Sequence, residues 1–183
     1  MTRAPFAGME PDARRRLVGR SLLVTLGYGA VMVAVARPMR AGGHDIVPFE
    51  LAGDAETVDR IIDDWGPAGV AAARLQTRLD MGYLVSYGVA TSAGCAVAAA
   101  AAADAGRPRL ARLGALLGWG TVVAAGCDAV ENASMLAELS GRRGPLPRLA
   151  QRCAQVKFGL LALATPYALI GLAITERARR RAG

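Results

Sequence analysis

The sequence predicts an all-α protein: a four-transmembrane-helix bundle with a short amphipathic helix outside the membrane, between helices 1 and 2. Three observations carry that prediction. Hydrophobic residues make up 53% of the 183. The mean hydropathy is +0.29. The apolar residues also gather into four blocks, 17–36, 81–103, 110–130 and 156–175, each near the roughly 20 residues that a helix needs to cross about 30 Å of hydrocarbon. Strands of a membrane barrel would be shorter and would alternate apolar with polar residues, whereas 93–103 is almost unbroken Ala, Val, Gly and Cys. The chain, 1–183, reads as a single integral membrane domain.

The first block follows Arg14, Arg15 and Arg16 and ends in Ala34-Val35-Ala36, which also fits a secretory signal with a small-residue cleavage site. The long arm before it, Tyr28 within it and the three blocks after it favour an uncleaved anchor. Between spans 1 and 2 lies a loop, 37–80. In it Asp54 is a good N-cap for a helix over about 54–65, with Val58, Ile61, Ile62 and Trp65 on one face and Glu56, Asp59, Asp63 and Asp64 on the other. Gly66-Pro67 stops that helix. So acidic a polar face disfavours an anionic membrane surface and favours docking on the bundle. Phe49 and Glu50 are then expected near the rim of any polar site, and Arg74 and Arg78 are placed to pair with the acidic face. From Ala68 to Ala103 no strong breaker intervenes, so the second helix is expected to be long. Pro166 is expected to kink the fourth.

Polar residues fall in or beside the apolar blocks: Asp80 with Tyr83 and Tyr87, then Asp128, Glu131 and Asn132, then Lys157. Ionisable groups at membrane depth are expensive and are kept for a partner or a task. Asp80, Tyr83 and Tyr87 are spaced i, i+3, i+7, and Thr121, Ala124, Ala125, Asp128, Glu131 and Asn132 form one stripe, so each set can face the bundle interior. Gly114 and Gly118, and Gly94 with Ala98, allow close helix approach.

With four spans the termini share a side. The arginines of the N-terminal arm, of the loop at 107–112 and of the tail outnumber slightly the basic residues of the other face, which favours cytoplasmic termini and the bacterial inner membrane. On that topology the acids and Lys157 share one level near the outer interface. The bland reading is that Asp128 and Asn132 bond neighbouring helices, Lys157 neutralises one acid and Glu131 reaches headgroup water. Tyr83 alone reads as an aromatic-belt residue, and Tyr87, one turn deeper, is the better pocket candidate. The net charge of +7 comes without a basic stripe interleaved with aromatics, so membrane lipids rather than nucleic acid are the expected partner.

Missing residues exclude several chemistries. His44 is the only histidine, which leaves bis-histidine haem and histidine-rich di-iron sites unsupported. Cys95, Cys127 and Cys153 form no CxxC pair and read as buried free thiols. No metal or cofactor is expected, and no GxSxG, Walker or HExxH motif occurs.

Phe49-Glu50-Leu51-Ala52, Trp65-Gly66-Pro67, Asp80 with Tyr83 and Tyr87, Asp128-x-x-Glu131-Asn132 and Lys157 together resemble a group of small bacterial four-span membrane proteins to which no activity is attached. The resemblance covers most of the chain from Phe49 to Lys157, implies the four-helix fold and transfers no mechanism.

The function that these residues point to is an outward-facing polar pocket for a lipid-like or other amphipathic small molecule, lined by Glu50, Asp80, Tyr83, Tyr87, Asp128, Glu131, Asn132 and Lys157. In a catalytic version Asp128 or Glu131 is the general acid or base and Lys157 stabilises an anionic group. Two other readings use the same residues: a proton or cation transport component, and a structural or assembly protein whose polar groups only specify helix packing.

Overall fold

Residues 3–182 are described in a computed structural model, and all their regular structure is helical. Six helices follow one another: α1 Pro11–Val35, α2 Arg37–Ala41, α3 Ile46–Glu50, α4 Ala55–Asp104, α5 Pro108–Leu139 and α6 Leu146–Ala182. Four of these stretches are long and apolar enough to cross a membrane: Pro11–Ala41, Ala55–Asp104, Pro108–Leu139 and Leu146–Arg181. The apolar stretch of α4 is mostly buried, while those of α1 and α6 leave most of their side chains outward. Leu23 on α1 is 71% exposed and Leu163 on α6 64%, as expected where lipid rather than protein covers a helix.

Two breaks that the sequence marks are present. Asp54 caps α4, accepting the Thr57 N–H at 2.8 Å. Gly66 interrupts that helix with φ 58° and ψ −174°, a conformation open essentially only to glycine, immediately before a proline that itself disfavours helix in the preceding residue. The limb beyond it runs without a further non-helical residue to Asp104, as the lack of breakers predicts. There the Arg107 N–H bonds the Ala102 carbonyl at 2.8 Å and the Gly106 N–H the Ala103 carbonyl at 2.9 Å, with Gly106 at φ 68°. This is a Schellman stop, followed by Pro108 as the first residue of α5.

The helices extend beyond the apolar blocks: α5 runs past residue 130 to Leu139, and α6 begins at Leu146, ahead of the block that starts at 156. In the α5 extension Glu131, Asn132, Ser134 and Glu138 are buried against protein, so polar residues end the apolar run although the helix continues. The loop expected over 37–80 also contains α2 and α3. Asp45 opens α3, its carboxylate accepting the Ile46 N–H at 2.7 Å.

The chain divides into two compact units, residues 24–85 with 126–157, and residues 1–23 with 86–125 and 158–183. In the first unit Met39, Phe49, Val58, Ile61, Trp65, Met135, Leu139 and Ala150 form a hydrophobic core. Phe49 and Trp65 pack with ring centroids 5.1 Å apart, and the Trp65 indole donates to the His44 carbonyl at 3.0 Å. The apolar face of the acidic helix is thus docked, with Glu56, Asp59, Asp63 and Asp64 exposed. Its arginine partner is Arg143, which bonds Asp59. Arg74 instead donates to the Leu139 carbonyl, because that end of α5 presents unpaired carbonyls that a cation complements.

In the second unit small residues do the packing. A Cβ on Gly171 would overlap Ala98, one on Gly94 would come 3.1 Å from the Ala168 methyl, and one on Gly114 would overlap Tyr167. Ser92 of α4 donates to the Gly118 carbonyl of α5 at 3.0 Å. The close approach expected of these glycines occurs here.

Candidate functional site

Four elements of the unit formed by 24–85 and 126–157 bring polar groups together. α5 carries Asp128, Glu131 and Asn132 at i, i+3 and i+4, so they project from one face. α4 supplies Asp80 and Tyr83, α6 supplies Lys157, and the short α3 supplies Glu50 from its last residue.

Lys157 is the centre. Its Nζ lies 2.8 Å from Glu131 Oε1, 3.1 Å from Asp128 Oδ1 and 3.6 Å from Glu50 Oε2. Alongside, Asn132 donates its side-chain amide to Asp80 Oδ2 at 2.7 Å. Tyr83, half-buried, has Asp80, Asp128 and Lys157 as its charged neighbours. The burial is close to complete: Glu131 is 0% exposed, Asp128 and Asn132 2%, and Lys157 5%. Glu131 therefore does not reach headgroup water, which corrects the bland expectation for it. Lys157 of α6 and Glu50 of α3 lie against it instead.

Charge in this cluster is unbalanced. Four carboxyl groups, of Glu50, Asp80, Asp128 and Glu131, meet one ammonium. Glu50 and Glu131 are neighbours; Glu50 Oε2 has the Lys157 ammonium only at 3.6 Å, and Glu131 Oε2 accepts no hydrogen bond. Burial pushes the Glu50 carboxyl above the ordinary glutamate range; Lys157 opposes that shift and Asp128 adds to it. At Asp45, just upstream, burial pulls the same way, but the hydrogen bonds from Arg40 and the Ile46 N–H outweigh it and hold the carboxyl low. Among the described residues no group of three or more His, Cys, Asp or Glu is arranged to hold a metal ion. The point on which Glu50, Asp128 and Glu131 converge is taken by the Lys157 ammonium.

The structure thus assembles Glu50, Asp80, Tyr83, Asp128, Glu131, Asn132 and Lys157 in one unit. Phe49, expected at the rim, belongs to the hydrophobic core instead, since its aromatic ring finds Trp65. Tyr87 falls in the other unit and is buried there. Cys127 and Cys153 are neighbouring free thiols.

Sequence reasoning missed four buried polar residues of this unit: Thr77 and Ser134, which bond carbonyls of their own helices, and Glu138 and Gln76, which are 1% and 5% exposed with an Oε1 that accepts no hydrogen bond. A signal existed, because Glu138 lies two turns beyond Glu131 on the same stripe and Gln76 one turn before Asp80. Both fall outside the apolar blocks, where a polar residue draws no notice.

Fold and composition define a multi-pass α-helical membrane protein. No family model, curated protein or solved structure matches the chain.

Proposed function

We propose that the Lys157 cluster is a proton-binding site on the outer side of a bacterial inner-membrane protein whose termini both lie in the cytoplasm. One observation carries the reading: the carboxyl groups of Glu50 and Glu131 are buried neighbours that share the one Lys157 ammonium, and Glu131 Oε2 accepts no hydrogen bond. Two carboxylates in that position repel one another, and a shared proton converts the repulsion into a hydrogen bond. The slight arginine majority on the side of the termini supports the orientation, and membrane lipids are the surrounding partner.

The test is infrared titration of the full chain in liposomes. The wild type is expected to keep a protonated-carboxyl C=O band above the pH at which exposed carboxyls have ionised, and Glu131→Gln or Glu50→Gln should remove it in part. No band beyond that of the exposed carboxyls, with Glu131→Gln lowering only thermal stability, would leave the cluster a packing device. The linkage has a definite sign. Glu50 has its pKa raised by folding, so the stability it contributes is fully present below the ordinary glutamate range and is lost as pH rises through the folded value. Glu50→Gln should therefore flatten the alkaline side of the stability profile.

A second reading keeps the same site but gives it a lipid-like or amphipathic small molecule. The excess of carboxyl groups over ammonium favours a cationic end on that molecule. An alkylammonium amphiphile should then raise the melting temperature of the wild type and not of Glu131→Gln, while an alkyl sulfate of equal chain length does neither.

A further inference from the structure

The unit formed by 1–23, 86–125 and 158–183 holds a second charged feature, of opposite sign. Its N-terminal arm is folded: the Ala7 N–H bonds the Ala4 carbonyl and the Met9 N–H the Phe6 carbonyl, both at 3.1 Å. Phe6 packs against the small core of Val18, Ala93 and Val97. The Trp119 indole donates to the Arg3 carbonyl at 3.0 Å, so the arm is pinned to α5 near its tip.

Beneath the arm lies a cavity of about 420 Å³, lined by the arm, α1, α4 and α5. Its charged groups are Arg3, Arg14 and Arg112, and the rest of its wall is alanine and one proline. No acid lines it; Glu10 directs its carboxylate to the Ala13 N–H at 2.9 Å. Arg14 is 6% exposed. It donates Nη1 to the Ala96 carbonyl at 3.1 Å and Nη2 to the Met9 carbonyl at 2.9 Å, and its buried Nε has no partner. These carbonyls orient the guanidinium without cancelling its charge.

Glu10 attracts Arg14 from outside the cavity lining, but a buried cation with an unused donor, bonded only to neutral carbonyls and beside two more cations, is still a costly arrangement for a protein alone. An anion in the cavity removes the cost. The guanidinium fork matches phosphate oxygens in pairs, and the alanine walls leave room while offering an apolar lining. The volume lies in the range of small-molecule sites, about 300–1,000 Å³, and exceeds what a lone inorganic phosphate fills.

We propose that this cavity is a binding site for a phosphate group carried on an apolar body, with Arg14 as the fixed donor and Arg3 and Arg112 closing on the remaining oxygens. A membrane phospholipid is the source that the apolar lining fits; free phosphate shares the anion chemistry.

Full-length protein in a non-ionic detergent is titrated with dihexanoyl phosphatidic acid, dihexanoylglycerol and inorganic phosphate, with binding read by native mass spectrometry and by melting temperature. Saturable binding of the phosphatidic acid is expected, with no binding of the phosphate-free diacylglycerol. Arg3→Gln and Arg112→Gln, both at exposed positions, should each weaken it by roughly tenfold, whereas Arg112→Lys loses less. Inorganic phosphate that competes at equal concentration supports the anion site with a soluble source, and failure to compete supports the lipid. The proposal is overturned if the diacylglycerol binds equally well, or if the phosphatidic acid binds Arg3→Gln and Arg112→Gln as tightly as the wild type. Arg14→Gln serves only as a supplementary variant, since it also removes contacts that hold the arm.

Discussion

The two compact units are held together by different physics. Around Phe49, Trp65, Met39 and Met135, large apolar side chains are buried under a helix whose other face is acidic and exposed, an arrangement that removes apolar surface from water. Around Gly94, Ala98 and Gly171 the contacts are instead alanine methyl to glycine backbone, and at Gly114 the missing side chain makes room for Tyr167. Lipid gives apolar side chains no reason to leave it, so helices within it associate through close van der Waals approach and a few polar bonds. The buried charge follows the same division: one unit gathers carboxyl groups around Lys157, the other holds Arg14 by two backbone carbonyls, with no carboxylate bonded to it.

Removing Lys157 tests the first unit hardest. Lys157→Ala leaves three buried carboxyl groups without their cation and should cost about 3–5 kcal/mol, read as a fall in melting temperature in detergent. Lowering the pH should restore part of the loss, because protonation relieves the repulsion that the ammonium had offset. A loss that does not change with pH would mean that Lys157 acts through packing alone. Met39→Ala probes the core of the same unit. Met39 is fully buried, and its truncation should cost about 2–5 kcal/mol without any pH dependence.

In the other unit the sensitive change is an addition. Gly171→Val places a Cβ into Ala98, and such overpacking should cost about 1–3 kcal/mol. If Gly171→Val melts with the wild type, helix contacts there are looser than the geometry requires and the contrast between the units fails.

Much of this was legible because helical periodicity assigns faces before any contact is known. The stripe through Asp128, Glu131 and Asn132, the cap at Asp54 and the break at Gly66-Pro67 are local statements, and each appears in the structure. Lys157 and Asp80 could be placed beside that stripe once four spans fixed their levels. The continuation of α5 to Leu139 was not legible, because hydropathy falls where protein, not lipid, covers the helix. Pairing was illegible too: Arg143 rather than Arg74 reaches the acidic helix, and that depends on where the turn after α5 points. Arg14 was hidden by its neighbours, since in a run of three arginines only helix phase decides which one turns inward, and the run as a whole reads as a topology signal.

The smallest effect tests how firmly the docked acidic helix is anchored at its start. Asp54 accepts both the Thr57 N–H and, at 3.0 Å, the Thr57 hydroxyl. Those two bonds, the N–H first, hold its carboxyl below the usual aspartate range against a small opposing effect of burial. A carboxyl lowered in the folded state contributes stability that is present above its ordinary pKa and is lost as pH falls through the folded value. Asp54→Ala should thus lower the melting temperature slightly at neutral pH and match the wild type in acid. Asp54→Ser keeps a cap acceptor without the charge, so its difference from Asp54→Ala should persist at every pH. Hydrogen exchange at the Thr57 and Val58 amides gives the local readout: faster exchange in Asp54→Ala with an unchanged core would show that the helix frays from its cap while its apolar face stays docked. Exchange unchanged at both amides would mean that docking through Val58 and Ile61 alone fixes the first turn.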